Sequence, residues 1–290
     1  MYPCWPVPYD IVKMTPITKN SKNMISLGPP MGLPGVRIGC WNVNSLRVRW
    51  PLVQTWLKEE KIDIALVQET KVTDDLFPKN MVAQEGYHCV FWGQKAYNGV
   101  AIMSRWPLDH VMRCDFNHTG AARYIQATTN GMRLASVYVP QGQGFDKPAY
   151  GEKMAFLRGL AQHMAPYVWD CVPTIMGGDY NIAPQDEDVH DPVLWRDRLM
   201  CSMEERQAFR SIRAMGWVEA QITQKGKSNP HTWWHYRHGA WAKKQGLRID
   251  SFLLSPYAAD FLCQSGVSSY WRDAPQTSDH CPLWMDLLLG

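Results

Sequence analysis

The chain has 290 residues, 46% hydrophobic and 20% charged, with a formal net charge of +3. That is enough apolar material for one large core, and too weak a charge to name a partner. Its 8 Cys lack a C-x-x-C pair or any regular spacing, which excludes a zinc site or disulfide framework and predicts buried, reduced thiols in a cytosolic protein.

Elements follow in chain order. The opening is rich in proline and carries a Gly-Pro-Pro-Met-Gly-Leu-Pro-Gly run, with no apolar stretch long enough for a signal peptide or membrane span. Residues 1–35 are therefore read as a flexible extension, and 36–290 as one domain. Residues 36 to 44 alternate as a strand does, and Trp50, Val53 and Leu57 then recur at helical spacing up to Glu60. Ile62 to Val67 is a nearly all-apolar run closed by Gln68 and Glu69, the pattern of a strand covered on both faces. Further strands are expected at 87 to 92, 99 to 104, 123 to 129, 134 to 139, 173 to 178, 247 to 254 and 281 to 287. Helices are expected at 149 to 165, where Met154, Leu157, Ala161 and Met164 share a face, and at 203 to 215, where Ser202 and Glu205 have capping-box spacing. Many strands with a few interspersed helices predict an α/β fold of two packed sheets flanked by helices.

Chemistry concentrates where apolar strands end: at Asn42 and Asn44, Glu69, Asp179 and Asn181, Asp250, and Asp279 with His280. A carboxylate that follows a buried strand is costly to desolvate unless it is paired or binds a cation, so several converging ones point to a hard metal. Any one of them alone is as readily explained as a turn former. Gly177-Gly178-Asp179-Tyr180-Asn181 closes one strand, its glycines permitting close approach of a ligand to the backbone. Asp250 sits in a strand otherwise apolar to Leu254, where orienting a histidine is the obvious use.

Trp41-Asn42-Val43-Asn44-Ser45-Leu46, Gln68-Glu69-Thr70-Lys71, Asn98-Gly99-Val100-Ala101-Ile102, Val137-Tyr138-Val139-Pro140, Gly178-Asp179-Tyr180-Asn181, Leu247-Arg248-Ile249-Asp250 and Ser278-Asp279-His280 together resemble exonuclease III-like DNA repair nucleases, in order and approximate spacing. The resemblance runs from about residue 36 to the end and implies a four-layered α/β sandwich with two mixed sheets. It implies an exonuclease, 3'-phosphatase or phosphodiesterase, and abasic-site incision as an open further activity. It also implies a metal held chiefly by Glu69, with Asn42, Asp279, Asp179 and Asn181 completing one or two sites. Mg²⁺ is the expected ion, with Mn²⁺ as a substitute. Asp179 would orient or deprotonate the attacking water, Asn181 would bond a phosphate oxygen, and His280, oriented by Asp250, would stabilise the pentacovalent phosphate. Tyr138 would contact the phosphate or leaving oxygen.

Residues 220 to 249 hold Lys225, Lys227, Arg237, Lys243, Lys244 and Arg248 and no Asp or Glu. The cations interleave with Trp233 and Trp234, as in a surface that stacks bases and grips phosphates; the bland alternative puts both tryptophans in the core. Asn44, Arg123, Arg237, Lys243, Lys244 and Arg248 are thus candidate DNA contacts, with Arg47 and Lys71 as weaker ones. A bulky Met200 in the 195 to 201 segment is expected to hinder an extruded abasic sugar. The expected partner is double-stranded DNA with 3' ends, nicks or abasic sites, met by a cytoplasmic monomer without membrane contact. The alternatives keep the fold but change the substrate to an RNA tail or a phosphoinositide, or leave a catalytically dead DNA-binding module.

Overall fold

A computed structural model describes residues 35–220 and 230–288. The expected N-terminal extension, apart from Gly35, lies outside them, as do Cys4, Lys225 and Lys227 of the basic stretch. The chain opens with β1 (Val36–Asn42), α1 (Leu46–Glu59), β2 (Ile64–Gln68) and a short α2 (Lys79–Gln84). Strands β3 (His88–Trp92), β4 (Val100–Ser104), β5 (Asp109–Arg113), β6 (Tyr124–Thr129) and β7 (Met132–Tyr138) follow. Then come α3 (Pro148–Met164), β8 (Thr174–Asp179), α4 (Pro192–Trp195), α5 (Met203–Ala214) and β9 (Val218–Glu219). The described chain ends with β10 (Asp250–Leu254), α6 (Pro256–Ala259), β11 (Leu262–Val267) and β12 (Leu283–Leu287).

These strands form two six-stranded sheets, ordered β11-β12-β1-β2-β4-β3 and β5-β6-β7-β8-β10-β9. Both are mixed, because β1 runs parallel to β2 and β7 parallel to β8 while the other pairs are antiparallel. Alternation explains the layering. Ile38, Cys40, Ile64, Leu66 and Ile102 face Ile125, Leu134, Ile175 and Phe252 across the gap between the sheets. The intervening Trp41, Ala65, Val67 and Met103 point the other way, onto Trp50, Val53, Trp56 and Leu57 of α1. On the far side Tyr124, Val137, Met176 and Leu253 pack against Phe156, Leu157 and Leu160 of α3 and Phe209 and Ile212 of α5. The expected capping box is present at the start of α5, where the Ser202 side chain and the Glu205 carboxylate serve each other's backbone N–H.

Three strands were not expected from the sequence. Strand β5 is exposed at every position, β11 is an edge strand with a bulge between Leu262 and Gln264, and β9 is two residues long; none presents a period-2 apolar pattern. The strand expected from 247 begins only at Asp250, because Leu247 bridges instead to Val189 and Trp233. The glycines at 177 and 178 also serve another purpose than ligand approach. A Cβ on Gly178 would lie 2.0 Å from the Val137 carbonyl oxygen, and one on Gly177 would strike Leu66 and Phe252 at 2.8 Å. They admit the neighbouring strand and the facing sheet. The seven described cysteines are free, as expected, but Cys171 and Cys263 are exposed rather than buried.

Candidate active site

Sheet register delivers the polar residues to one end of the sandwich. In one sheet Asn42 pairs with Gln68, so Glu69 stands one residue beyond. In the other, Tyr138 pairs with Asp179 and Asp179 with Asp250, a row across three strands. The loop before β12 brings His280 alongside: the Ser278 hydroxyl accepts from its backbone N–H at 3.1 Å and donates to the Asn42 carbonyl at 2.6 Å.

Asn42 joins the halves. Its fully buried amide donates to Glu69 Oε1 at 2.9 Å and to Asp179 Oδ2 at 3.0 Å, so one side chain spans both sheets. Asp179 also accepts from the Asn181 backbone N–H at 2.8 Å, while the Asn181 amide donates to the Val139 carbonyl at 3.0 Å and more loosely to Asp179 at 3.3 Å. His280 places Nδ1 2.9 Å from Asp250 Oδ2 and Nε2 3.6 Å from Asp179 Oδ2. Thr232, not anticipated from the sequence, donates to Asp250 at 2.6 Å and accepts from the backbone N–H of Ile249 and Asp250, which leaves Asp250 one direction in which to face. Asp179, Asp250 and His280 offer ligand atoms all within 4.8 Å of one another.

Burial and charge set the protonation states. Burial lifts the Asp179 carboxyl, and Asp250 and Glu69 add to this against the opposing pull of His280, leaving it pushed up to about 7. Burial opposes the charged imidazole of His280, but Asp250 and then Asp179 outweigh it and push it up to about 10. Burial also opposes ionisation of Glu69, yet Lys71 and the Asn42 amide hold its pKa below the usual range. Tyr138 is held well above the ordinary phenol range by burial and by nearby Glu69 and Asp179, so it remains an O–H donor. Glu69 and Asn181 both take left-handed backbone angles, φ 53° and 50°, conformations that cost about 1–3 kcal/mol each and persist where surrounding bonds over-determine them. Around Glu69 those bonds are Ser45 N–H to the Glu69 carbonyl and Thr70 and Lys71 N–H to Gly99 and Asn98.

Asp279 is tied in from the side. It accepts from the Asn44 amide at 3.1 Å and from Trp233 Nε1 at 3.0 Å. Asn44 accepts in turn from Lys71, whose ammonium lies 2.7 Å from Glu69 Oε2. Lys71, read from the sequence as a phosphate contact, thus sits on the carboxylate instead. It occupies a cation's place beside Glu69, whose carboxylate is of the oxygen type that a hard divalent ion takes; the Asn42 amide nitrogen faces Glu69, while its Oδ1 accepts from the Asn44 N–H.

Arg123 stacks over the Tyr138 ring at 4.5 Å. With Lys71, Asn98 and Gln141 it borders a polar cleft of about 310 Å³ beside Glu69. Arg237, Lys243 and Lys244 are exposed on the loop after Trp233. Arg47 is exposed on α1.

Two DNA-contact readings are corrected. Arg248 is 2% exposed, donating to Asp188 at 2.7 and 2.9 Å and bonded to Glu219 and Ser251; it is an internal ion pair, held in the segment before β10 where its backbone N–H also donates to the Asp188 carbonyl. Trp234 is 5% exposed and packs edge-on against Trp241 at 4.7 Å. Adjacent residues of an extended segment face opposite ways, so Trp233 borders the site and Trp234 supports the loop from behind. Met200 is buried with Leu247, Ile249, Leu199 and Trp233.

Residues 39–280 match the Endonuclease/Exonuclease/phosphatase family. The chain is similar to an exodeoxyribonuclease of Bacillus subtilis, 31% identical over 255 residues that cover 84% of this chain and 96% of that protein. It is also similar to the exodeoxyribonuclease III of Haemophilus influenzae, 28% identical over 261 residues covering 85% and 97%. Among solved structures, the 3' phosphatase NExo from Neisseria bound to a product DNA hairpin shares 35% identity at a TM-score of 0.84, over 87% of this chain and 99% of that one. An AP endonuclease from Archaeoglobus fulgidus shares 32% identity at 0.82, over 88% and 100%.

Proposed function

This chain belongs to the Endonuclease/Exonuclease/phosphatase family and is a hydrolytic nuclease, and from that premise we propose a DNA repair enzyme that removes blocks and nucleotides from 3' ends and incises beside abasic sites. The observation that carries the reading is the single Asn42 amide held between Glu69 and Asp179, with the His280–Asp250 pair adjoining.

Glu69, Asp279 and the Asn42 oxygen would hold Mg²⁺, with Mn²⁺ as a substitute. When bound, the ion neutralises charge on the phosphate that is being attacked. Asp179 takes the proton of the attacking water, its Oδ2 kept in place by Asn42. Asn181 turns its loosely held amide hydrogen to a phosphate oxygen. His280, locked by Asp250 as an imidazolium, faces the charge that grows on the phosphorus oxygens, and preorganised donors of this kind supply much of the acceleration. Tyr138 donates its phenolic hydrogen to the phosphate or leaving oxygen. Arg123 and the exposed Arg237, Lys243 and Lys244 grip the strand, and Trp233 walls the pocket.

The test is a gel assay on duplexes with a recessed 3' end, a 3'-phosphate nick and an internal abasic site, each with Mg²⁺ or EDTA. Cleavage of at least the 3'-phosphate that EDTA abolishes is expected, and turnover indifferent to the chelator would end the proposal.

The pH profile has two limbs. Asp179 must be ionised to accept a proton and His280 charged to stabilise the negative charge growing on the phosphate, so kcat/KM rises with pH through about 7 and falls through about 10. Saturating Mg²⁺ lowers the acidic limb, because a nearby cation favours the carboxylate. A flat profile through neutrality would contradict the assignment of Asp179 as base.

Met200 is buried in the cluster against which Trp233 packs and holds a left-handed conformation, φ 71°. Met200→Gly removes both the bulk and the strained angle. Incision at an internal abasic site is expected to rise about tenfold, equivalent to ~1.4 kcal/mol of relieved obstruction, while 3'-phosphatase activity stays close to native. Equal incision by both proteins would show that Met200 does not limit entry.

A further inference from the structure

We propose that Lys153, which touches none of the reacting groups, is a positioning residue that fixes Asn181 and the Met200 segment against each other. It thereby sets both the attack geometry and the pocket wall. The proposal rests on the nuclease reading above.

Lys153 lies on α3 with its side chain fully buried. An ammonium has three hydrogens to place, and this one has three acceptors: the Asn181 carbonyl at 2.8 Å, the Gln141 carbonyl at 3.2 Å and the Glu205 carboxylate. Glu205 is equally committed. Its Oε1 also accepts from the Met200 backbone N–H at 3.0 Å, and its Oε2 accepts from the Ser202 N–H and hydroxyl at 3.1 and 2.7 Å. One buried ion pair therefore ties down the chain at 141, 181, 200 and 202.

These anchors are not interchangeable with packing. Asn181 and Met200 both hold left-handed angles, φ 50° and 71°, which need external bonds to persist. The Asn181 backbone N–H is bound to Asp179 Oδ1 at 2.8 Å, so a shift of its carbonyl end tilts the carboxylate that addresses the water. Met200 belongs to the buried cluster with Leu247 and Ile249 against which Trp233 packs. A cap on α5 requires only Glu205 and Ser202, and replacing a buried ion pair with neutral groups of similar volume is often no loss to stability. What an apolar side chain such as methionine cannot do is donate to the Asn181 and Gln141 carbonyls that Lys153 holds.

That difference supplies the test. The full-length double variant Lys153→Met/Glu205→Gln keeps the cap acceptor and leaves no unpaired charge. It is assayed with Mg²⁺ on a 3'-phosphate nick and on an internal abasic duplex, alongside thermal melting. A melting temperature near native, a kcat lowered by about 10²-fold with KM little changed, and an altered ratio of abasic to 3'-phosphate cleavage are expected, since misplacements of about 1 Å have consequences of that size. A folded double variant with native kcat and native ratio would overturn the proposal. Should the double variant melt early, Lys153→Arg decides. It keeps the charge opposite Glu205 but replaces the compact ammonium with a planar fork, so a folded protein with depressed kcat supports the role and one with native kcat overturns it. An inactive native chain would instead refute the nuclease reading itself, which separates the two failures.

Discussion

His280→Ala is expected to lower kcat on a 3'-phosphate duplex by about 10²–10³-fold, the usual loss when one preorganised stabiliser of developing charge is removed. KM should move little, because the interaction strengthens only as charge builds on the phosphate. The expectation follows from placement. The imidazole is 4% exposed, its Nδ1 is held by Asp250, and its Nε2 lies 3.6 Å from Asp179 Oδ2, so Ala removes a fixed, charged donor from beside the proposed base. Glu69→Ala should lose at least as much, with an additional rise in the Mg²⁺ concentration needed for half-maximal rate. Single-turnover rates with a metal titration separate the two defects. Activity of either variant within threefold of native would dismantle the assigned site.

Arg248→Ala is expected to destabilise the fold by about 3–5 kcal/mol, the cost of stranding buried charge after one partner is removed. Asp188 and Glu219 would lose the guanidinium they share, although Glu219 keeps Arg213 at 3.4 Å. Burial opposes the charge on Arg248, yet the two carboxylates outweigh it and raise its pKa further, so the guanidinium stays charged. Urea denaturation monitored by tryptophan fluorescence measures it. A variant that melts like the native chain but binds duplex DNA more weakly would restore the surface role that its position in a basic stretch had suggested.

The strands that carry the site were legible because they are covered on both faces. Ile62 to Val67 reads as one apolar run, and its end locates Glu69. The exposed edge strands left no such pattern, as Asp109–Arg113 illustrates. The candidate site was legible as a list of acids, amides and one histidine at strand ends, but composition does not encode who faces whom. The roles of Thr232 behind Asp250 and of Lys71 on Glu69 emerged only from distances. Arg248 misled for the same reason: in a run without acidic residues, a guanidinium that turns inward cannot be told from one that turns outward until its partners at 188 and 219, far away in sequence, are placed beside it.

The strand order has a consequence for synthesis. Strand β1, which carries Asn42, is completed by β12 on one side and β2 on the other, and His280 arrives only just ahead of β12. A ribosome-bound or prematurely released polypeptide halted before residue 280 carries the glutamate and Asp179 but neither the histidine nor the strand that seats it. The proposed site thus forms only when β1, made early, meets the loop that carries His280, made late, because Asn42 and Ser278 are bonded across that gap.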